Sequence, residues 1–301
     1  DQDAVDYPLA ITAHELAHQW WAHQVIGAQA KGATLLSESM SEYSSLKVLE
    51  KTYGKNQMRR FLKDAMDGYL TGRTGEQIKE QPLMYNENQQ YIHYQKGSLV
   101  LYAMSDYLGE DVFNGVAKRF AEKYQFKGRP YPVATEFVAD IKAVTPDSLK
   151  YLVTDMFETI TLYDNKVEDA TYTELPDGSY AVHIDAIISK YRSKKKGKKE
   201  YKSIAGDSLS FTPEGEEDAI ASLPLADYIE LGVFGEEDEE TGAENVLYLK
   251  KVKVSDINNG FDVIVDEKSV EAGIDPFNKL IDRRGSDNRK KVKENGSDKK
   301  E

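Results

Sequence analysis

The sequence predicts a multi-domain α and β protein, in which a helical part precedes an antiparallel β-sandwich. Over residues 8–160 the apolar residues recur with the period of an α-helix. After Leu162 this period is replaced by short segments that alternate in polarity or are rich in β-branched and aromatic residues, with turn residues between them. Beyond Asp282 the chain is highly charged and has almost no apolar residues, which predicts a disordered tail.

The helical part is predicted to span residues 1–160. The end of this part is placed where the helical period of the apolar residues stops. Within it, Gly54 is predicted to end the second helix. The predicted helices are one around a histidine pair near residue 14, then 35–53, 57–70, 98–108 and 111–124, with two shorter segments before Ile160.

The β-sandwich is predicted at 161–282 and the disordered tail at 283–301. A lysine-rich stretch at 190–202 is predicted to be a solvated hairpin tip between two strands. The predicted strands are 171–173, 180–184, 208–211, 246–249 and 261–265.

The composition limits the classes of function. With 40% hydrophobic residues, the 301-residue chain has enough apolar material for two domains with separate cores. The sequence has no run of 18 or more apolar residues. It has no cysteine, which excludes a thiolate zinc site and a disulfide framework. The net charge of −13 argues against general nucleic-acid binding, so we expect no nucleic-acid partner.

A pentapeptide near the start of the chain has the spacing of a helical zinc site, His14-Glu15-Leu16-Ala17-His18. Two residues four apart lie on one face of a helix, so both imidazoles can reach one metal ion. Glu15 directly follows the first histidine and can act on a water at the metal without being a ligand. The alternative is a pair of core histidines satisfied by hydrogen bonds. The motif favours Zn²⁺ and the chemistry of a hydrolase.

A catalytic zinc ion needs a third protein ligand and an open position for water, and Glu38 is the best candidate. In the predicted helix at 35–53, Glu38 and Glu42 fall beside or among the apolar residues of one face. Carboxylates in an apolar face are costly to bury unless they are paired or bind a metal. The alternative is a solvated acidic face. His23 would point about 140° away from His18 on a continuing helix and is not a predicted ligand.

Two blocks of the sequence resemble the gluzincin aminopeptidases of the membrane alanyl aminopeptidase type. The first is the pentapeptide with Gln19-Trp20, followed by Leu36-Ser37-Glu38. The second is Tyr94-Gln95-Lys96-Gly97, which is similar to the Y-x-K-G segment of that family. The resemblance covers about residues 10–110 and implies a helical thermolysin-like zinc half-domain.

The resemblance also implies roles for single residues. His14, His18 and Glu38 would bind Zn²⁺, and Glu15 would be the general base. Tyr94 would stabilise the oxyanion of the tetrahedral intermediate, with Tyr91 as a nearby alternative. By the same analogy Glu42 would accept the outer N–H of His14.

A narrower resemblance, to the peptidase-like domain of certain bacterial ABC-transporter permeases, extends through most of the chain. It is carried by Trp20-Trp21-Ala22-His23-Gln24, Leu36-Ser37-Glu38-Ser39 and Ala272-Gly273-Ile274-Asp275-Pro276. It implies membrane-embedded permease segments of a parent chain as partners, and a membrane-associated location with the peptidase domain on the extracytoplasmic side. A cytoplasmic location is the alternative. Because the chain begins without Met shortly before the zinc motif, we expect a fragment of a longer protein.

Three departures from the family pattern leave alternatives open. The stretch between His18 and Glu38 is one residue longer than usual, and N-E-G has become Ser37-Glu38-Ser39. The sequence has no G-A-M-E-N-like segment, which in the family binds the amino group of the substrate. The sequence therefore predicts a zinc metallopeptidase with a peptide substrate, of the aminopeptidase type. The alternatives are an endopeptidase with the same chemistry, and a zinc-binding peptide-recognition or accessory domain of an ABC transport system without turnover.

Overall fold

The helices precede the strands along the chain, and the predicted fold class is confirmed. The computed structural model describes residues 5–193, 202–203, 209–210 and 223–296. The last helical segment ends at Glu158 and the first strand begins at Thr161. Among the described residues, no helix is both long enough and apolar enough to cross a membrane.

The helical part contains α-helices joined by short loops, with three segments wound as π-helix. The α-helices are α1 (Tyr7–Ala17), α2 (Met40–Tyr53), α3 (Met58–Gly75), α4 (Gly97–Leu108), α5 (Glu110–Tyr124), α6 (Ala134–Val144) and α7 (Lys150–Val153). The π-helical segments are Leu35–Ser39, Ile92–Lys96 and Thr154–Glu158, and short 3-10 turns lie at Lys55–Gln57, Leu83–Tyr85 and Asp147–Leu149.

Local signals set the ends of the first two helices. The Asp6 side chain accepts a hydrogen bond from the Leu9 N–H at 3.1 Å and so caps α1. Gly54, with φ +88°, ends α2 in a backbone conformation that side chains disfavour. Helix α1 packs on α2 through a face that includes Ala13 and Ala17, whose small side chains allow a close approach. This packing brings the zinc motif against the start of α2.

Helix α4 lies at the centre of the helical part. Every residue from Gly97 to Ser105 is buried, so this helix is enclosed on all sides rather than amphipathic. The π-helical segment Ile92–Lys96 runs directly into it. The position of Tyr94 is therefore determined by a helix that is itself fixed in the core.

The strands form two four-stranded sheets and a short separate pair. They are β1 (Thr161–Glu174), β2 (Tyr180–Arg192), β3 (Lys202–Ser203), β4 (Leu209–Ser210), β5 (Asp227–Phe234), β6 (Val246–Val254), β7 (Asn258–Val265), β8 (Glu271–Ile274), β9 (Arg289–Lys291) and β10 (Lys293–Glu294). One sheet has the order β10-β1-β2-β7 and the other β6-β5-β8-β9, while β3 pairs with β4. All pairs are antiparallel except β1 with β10.

The two larger sheets pack face to face as a sandwich. In β2 the buried residues Val182, Ile184, Ala186 and Ile188 alternate with more exposed ones, as expected for a strand with one face on a core. Strand β5 is buried almost throughout and lies inside the second sheet, between β6 and β8.

Polar contacts join the sandwich to the helical part at the end of α4. The Tyr107 hydroxyl donates to the main-chain oxygen of Tyr228 at 2.7 Å. The Lys279 ammonium lies 3.1 Å from Asp106 and 2.8 Å from Glu230. Because Lys279 and Glu230 are buried, these ion pairs fix the relative position of α4 and the sandwich.

The prediction of a disordered tail at 283–301 is wrong for the described residues 283–296. Strand β9 pairs with β8, and the Arg289 guanidinium binds both carboxylate oxygens of Glu244 at 2.6 and 2.8 Å. The same guanidinium lies 4.0 Å from the centre of the Phe234 ring. The charge that suggested disorder is neutralised in a buried bidentate pair, and the residues beyond 296 lie outside the described part.

Most of the lysine-rich stretch at 190–202 lies outside the described residues. Lys190 itself is buried in β2, where its ammonium lies 2.9 Å from Asp155 and 2.8 Å from Asp227. The prediction that Lys190 belongs to a solvated hairpin tip is therefore wrong. Two carboxylates compensate its charge inside the protein.

Candidate metal centre

His14, His18 and Glu38 converge at the contact of α1 with the π-helical segment Leu35–Ser39. The Nε2 atoms of His14 and His18 lie 3.3 and 3.4 Å from the same Glu38 oxygen, Oε2. The three ligand atoms lie within 4.8 Å of one another. His18 stands directly after α1 but keeps helical dihedral angles, so the four-residue spacing places both rings on one side.

Oxygen atoms lie close to the outer ring nitrogen, Nδ1, of both histidines. His18 Nδ1 lies 2.9 Å from the main-chain oxygen of Trp21 and 3.1 Å from the Ser41 hydroxyl. His14 Nδ1 lies 3.1 Å from Glu42 Oε1, the partner that the resemblance implies. A carbonyl or carboxylate oxygen can only accept, so these neighbours favour the tautomer with the proton on Nδ1, which leaves the Nε2 lone pair for a metal ion. The donor set and its orientation therefore fit a zinc ion.

Negative charge dominates the surroundings of His14. Burial lowers its pKa, but the carboxylates of Glu42, Glu38 and Glu15 raise it by more, so the pKa lies above its ordinary value. A site in which several carboxylates surround two imidazoles attracts a cation. The same charges that raise this pKa would stabilise a divalent metal ion.

Tyr94 reaches the same cluster from the π-helical segment Ile92–Lys96. Its ring centre lies 5.9 Å from that of His14. Burial and the nearby Glu38 carboxylate raise the pKa of Tyr94, so its hydroxyl stays a donor at neutral pH. Tyr91, the alternative, is buried and stacks on Tyr69, with the ring centres 5.9 Å apart.

A cleft of about 360 Å³ opens beside the cluster. His14, Glu15, Glu42 and Tyr94 line it together with apolar residues of α2 and α3, among them Leu46, Leu49 and Phe61. Glu15 is exposed on its wall, one residue beyond His14. The cleft is thus lined by one predicted ligand, His14, by the predicted base Glu15 and by the predicted oxyanion group Tyr94.

The other histidines lie outside the cluster. Helix α1 ends at Ala17, so the continuing helix assumed for His23 does not exist, and His23 is exposed after a turn. His93 is buried, with its Nδ1 3.0 Å from the Asn86 side-chain amide, and burial lowers its pKa to about 4. His183 lies in β2 and pairs with Asp262.

Two supporting groups, the Ser39 hydroxyl and the Lys96 ammonium, were not predicted from the sequence. The Ser39 hydroxyl donates to the main-chain oxygen of His93 at 2.6 Å. Lys96 is fully buried with its ammonium 3.1 Å from Glu80. The sequence shows that Ser39 follows a predicted ligand and that Lys96 follows Tyr94 by two residues. It does not show their partners, which are distant along the chain.

The model of the Peptidase family M1 domain matches residues 4–154, about half of the chain. The chain belongs to peptidase family M1. This confirms the predicted relationship to the gluzincin aminopeptidases and the class of zinc metallopeptidases that act on peptides.

Individual relatives share less of the sequence. Human endoplasmic reticulum aminopeptidase 2 is 24% identical over 123 residues, which are 39% of this chain and 13% of the relative. Aminopeptidase A of Legionella pneumophila, solved with aspartic acid, has a TM-score of 0.48 and 14% identity, over 90% of this chain and 26% of that one.

A mutant of an M1 zinc metallopeptidase from Deinococcus radiodurans, bound to a Tyr-Ser-Ala substrate, has a TM-score of 0.38 and 21% identity. The similarity covers 49% of this chain and 32% of that one. The chain thus spans less than a third of the length of these relatives. Membership of peptidase family M1 confirms the predicted Zn²⁺ cofactor.

Proposed function

We propose that the chain forms the zinc-binding part of a metallopeptidase that hydrolyses peptide bonds, of the aminopeptidase type. The observation that carries the proposal is the convergence of His14, His18 and Glu38, with an oxygen atom within 3.1 Å of the outer nitrogen of each ring. Membership of peptidase family M1 supports it.

His14, His18 and Glu38 would hold the zinc ion, and Glu42 would keep His14 in the right tautomer and orientation. When bound, Zn²⁺ supplies Lewis acidity, which makes water more acidic and a carbonyl carbon more electrophilic. The carboxylate of Glu38 also compensates part of the charge of the ion. These residues account for binding, and the bond-breaking steps need two further groups.

Glu15 would take a proton from the attacking water and pass it to the leaving amine. Its exposed carboxylate stands on the cleft wall next to His14, where a peptide bond would lie. Tyr94 would donate its hydroxyl hydrogen to the oxygen that becomes negative during the attack. Because the pKa of Tyr94 is raised, this hydrogen is present at neutral pH.

The Glu15→Gln variant tests the assignment. Its amide cannot accept the water proton, so the variant should keep its zinc content and lose hydrolysis. Zinc is measured by elemental analysis, and turnover with a set of short peptides. Glu122→Gln, a change at an exposed glutamate on α5, is the matched control. Turnover in Glu15→Gln equal to that of the control would contradict the proposal.

Exopeptidase specificity is a finer proposal. It is supported by the resemblance to aminopeptidases, whereas the sequence has no G-A-M-E-N-like segment for the substrate amino group. Comparing free with N-acetylated peptides tests it, because an aminopeptidase needs the free amine. Equal rates on both would favour the endopeptidase alternative.

We further propose that the chain belongs to a membrane-associated protein with ABC-permease segments, with this part on the extracytoplasmic side. The support is the sequence likeness at 20–24, 36–39 and 272–276. Protease accessibility of this part in sealed membrane vesicles tests the side of the membrane and separates it from a cytoplasmic location. Bound zinc with no turnover in the full-length protein would favour an accessory, peptide-recognising role.

A further inference from the structure

Glu38, one of the residues proposed to bind zinc, and Tyr94, proposed to stabilise the oxyanion, lie on two π-helical segments that touch each other. Leu35–Ser39 carries Glu38, and Ile92–Lys96 carries Tyr94. The contact is a buried hydrogen bond in which the Ser39 hydroxyl donates to the main-chain oxygen of His93 at 2.6 Å. Ser39 is fully buried, so water does not compete for this bond.

The two segments approach so closely because residue 97 has no side chain. A Cβ atom on Gly97 would lie 2.2 Å from the Ser39 Oγ and 2.6 Å from its Cβ. Its φ of −59° is ordinary, so the requirement for glycine here is steric and not conformational. Any larger residue would push the Tyr94 segment away from the Glu38 segment.

A second contact holds the side chain of the same histidine. The Asn86 side-chain nitrogen lies 3.0 Å from His93 Nδ1 and 3.0 Å from the Thr34 hydroxyl, and Thr34 directly precedes the Glu38 segment. The His93 ring also packs against the Tyr94 ring, with 4.5 Å between their centres. The His93 carbonyl is thus bound by Ser39, which follows Glu38, and the His93 ring by Asn86, which also contacts Thr34.

We propose that Ser39 is a positioning residue for hydrolysis, which holds Tyr94 at a fixed place relative to Glu38. The carbonyl that Ser39 binds belongs to the planar peptide unit that ends at the Tyr94 Cα, so fixing this oxygen fixes the start of Tyr94. A hydrogen-bond donor acts on a developing oxyanion only when it is held in place beforehand. The inference rests on the proposed function, since it requires Tyr94 to act in hydrolysis.

The first test measures local opening and needs no activity. Ser39→Ala removes the hydroxyl, and amide hydrogen exchange over residues 92–97 should become ~10-fold faster, as expected for the loss of one hydrogen bond. Thr145→Val is the control, because the buried Thr145 hydroxyl donates to the Ile141 oxygen at 2.8 Å on α6, outside the cluster. The control should leave exchange at 92–97 unchanged. Unchanged exchange in Ser39→Ala would overturn the proposal.

The second test is kinetic and uses a double-mutant cycle in the full chain. Ser39→Ala should lower kcat ~10-fold with KM and zinc content unchanged, because the group that it positions acts in the transition state. In a Tyr94→Phe background the same change should have no further effect. Equal losses in both backgrounds would show a structural role for Ser39 and overturn the proposal.

Failure of the proposed function gives a different pattern. If no variant and no wild-type sample hydrolyses peptides, the proposed function fails, while faster exchange at 92–97 still supports the positional part of the inference. If wild type is active and Tyr94→Phe keeps full kcat, Tyr94 has no role in hydrolysis and the positioning proposal is overturned with it.

Discussion

Glu80 lies between two buried cations, Arg73 and Lys96, and removing its charge should destabilise the protein strongly. The carboxylate lies 2.6 Å from Arg73 Nε and 3.1 Å from Lys96 Nζ, and it accepts the Tyr69 hydroxyl at 2.7 Å. All four residues are almost completely buried. In Glu80→Gln, the buried Lys96 ammonium loses the carboxylate that compensates its charge, and Arg73 loses the charge of one carboxylate partner.

The expected loss in the free energy of unfolding depends on how many buried charges each variant leaves uncompensated. Breaking a buried ion pair from one side costs about 3–5 kcal/mol, since a buried charge is left uncompensated. Lys96→Met should cost less, about 1.5–3 kcal/mol, because Glu80 stays paired with Arg73 and only a charged hydrogen bond is lost. The expected order of destabilisation is therefore Glu80→Gln above Lys96→Met.

The assay is urea denaturation, with the free energy of unfolding taken from the midpoint and the slope. Glu122→Gln, at an exposed pair on α5, is the control and should change the stability by less than about 0.5 kcal/mol. A Glu80→Gln loss no larger than that of this control would refute the reasoning.

The same variant has a defined pH dependence. Burial raises the pKa of Glu80, but Lys96 and Arg73 lower it by more, so the pKa in the folded protein lies below 4.5. A lowered pKa means that the ionised form stabilises the fold above the unfolded value and that this contribution is lost as the pH falls. The difference between wild type and Glu80→Gln should be full at pH 7 and should shrink below about pH 4.5.

Three further changes test the site and the loop before it. Glu42→Gln should weaken zinc binding ~10–100-fold, because its carboxylate holds His14 Nδ1; chelator competition measures this, and unchanged affinity would contradict it. Tyr94→Phe should lower kcat ~10²–10³-fold with little change in KM, which steady-state kinetics would show; a loss confined to KM would disagree. Gly32→Ala should destabilise more than Gly54→Ala in thermal unfolding, because both have positive φ but only at Gly32 would the Cβ meet a main-chain oxygen, at 2.1 Å. Equal effects would rule out the steric explanation.

The helices could be predicted from the sequence because their signals are local. The apolar period and Gly54 predicted the end of α2 correctly, and α4 and α5 each begin within a residue of the expected position. Strand β5 was missed: it lies inside a sheet and is buried on both faces, so Asp227–Phe234 lacks the alternation that marks a half-exposed strand. Only residues 171–173 of strand β1 were predicted. No glycine or proline near Thr161 marked where the strand begins.

The candidate site divides in the same way. Spacing on one helix brought His14 and His18 together, and an acidic residue in an apolar face identified Glu38. The hydrogen bond from Ser39 to His93 could not be predicted, because its acceptor is a main-chain oxygen that every residue possesses. The ordered residues after Asp282 were missed because composition does not reveal that Arg289 pairs with Glu244.

The attachment of α4 at both ends has a mechanical consequence. The helix spans 12 residues, or about 18 Å at 1.5 Å per residue. Tyr94 stands just before its first turn, and its last turn is bound to the sandwich through Asp106 and Tyr107. The helix therefore connects the cleft to the β-domain directly. A shift of the sandwich would therefore also move Tyr94, the proposed oxyanion donor, although no described residue of the β-domain belongs to the metal cluster.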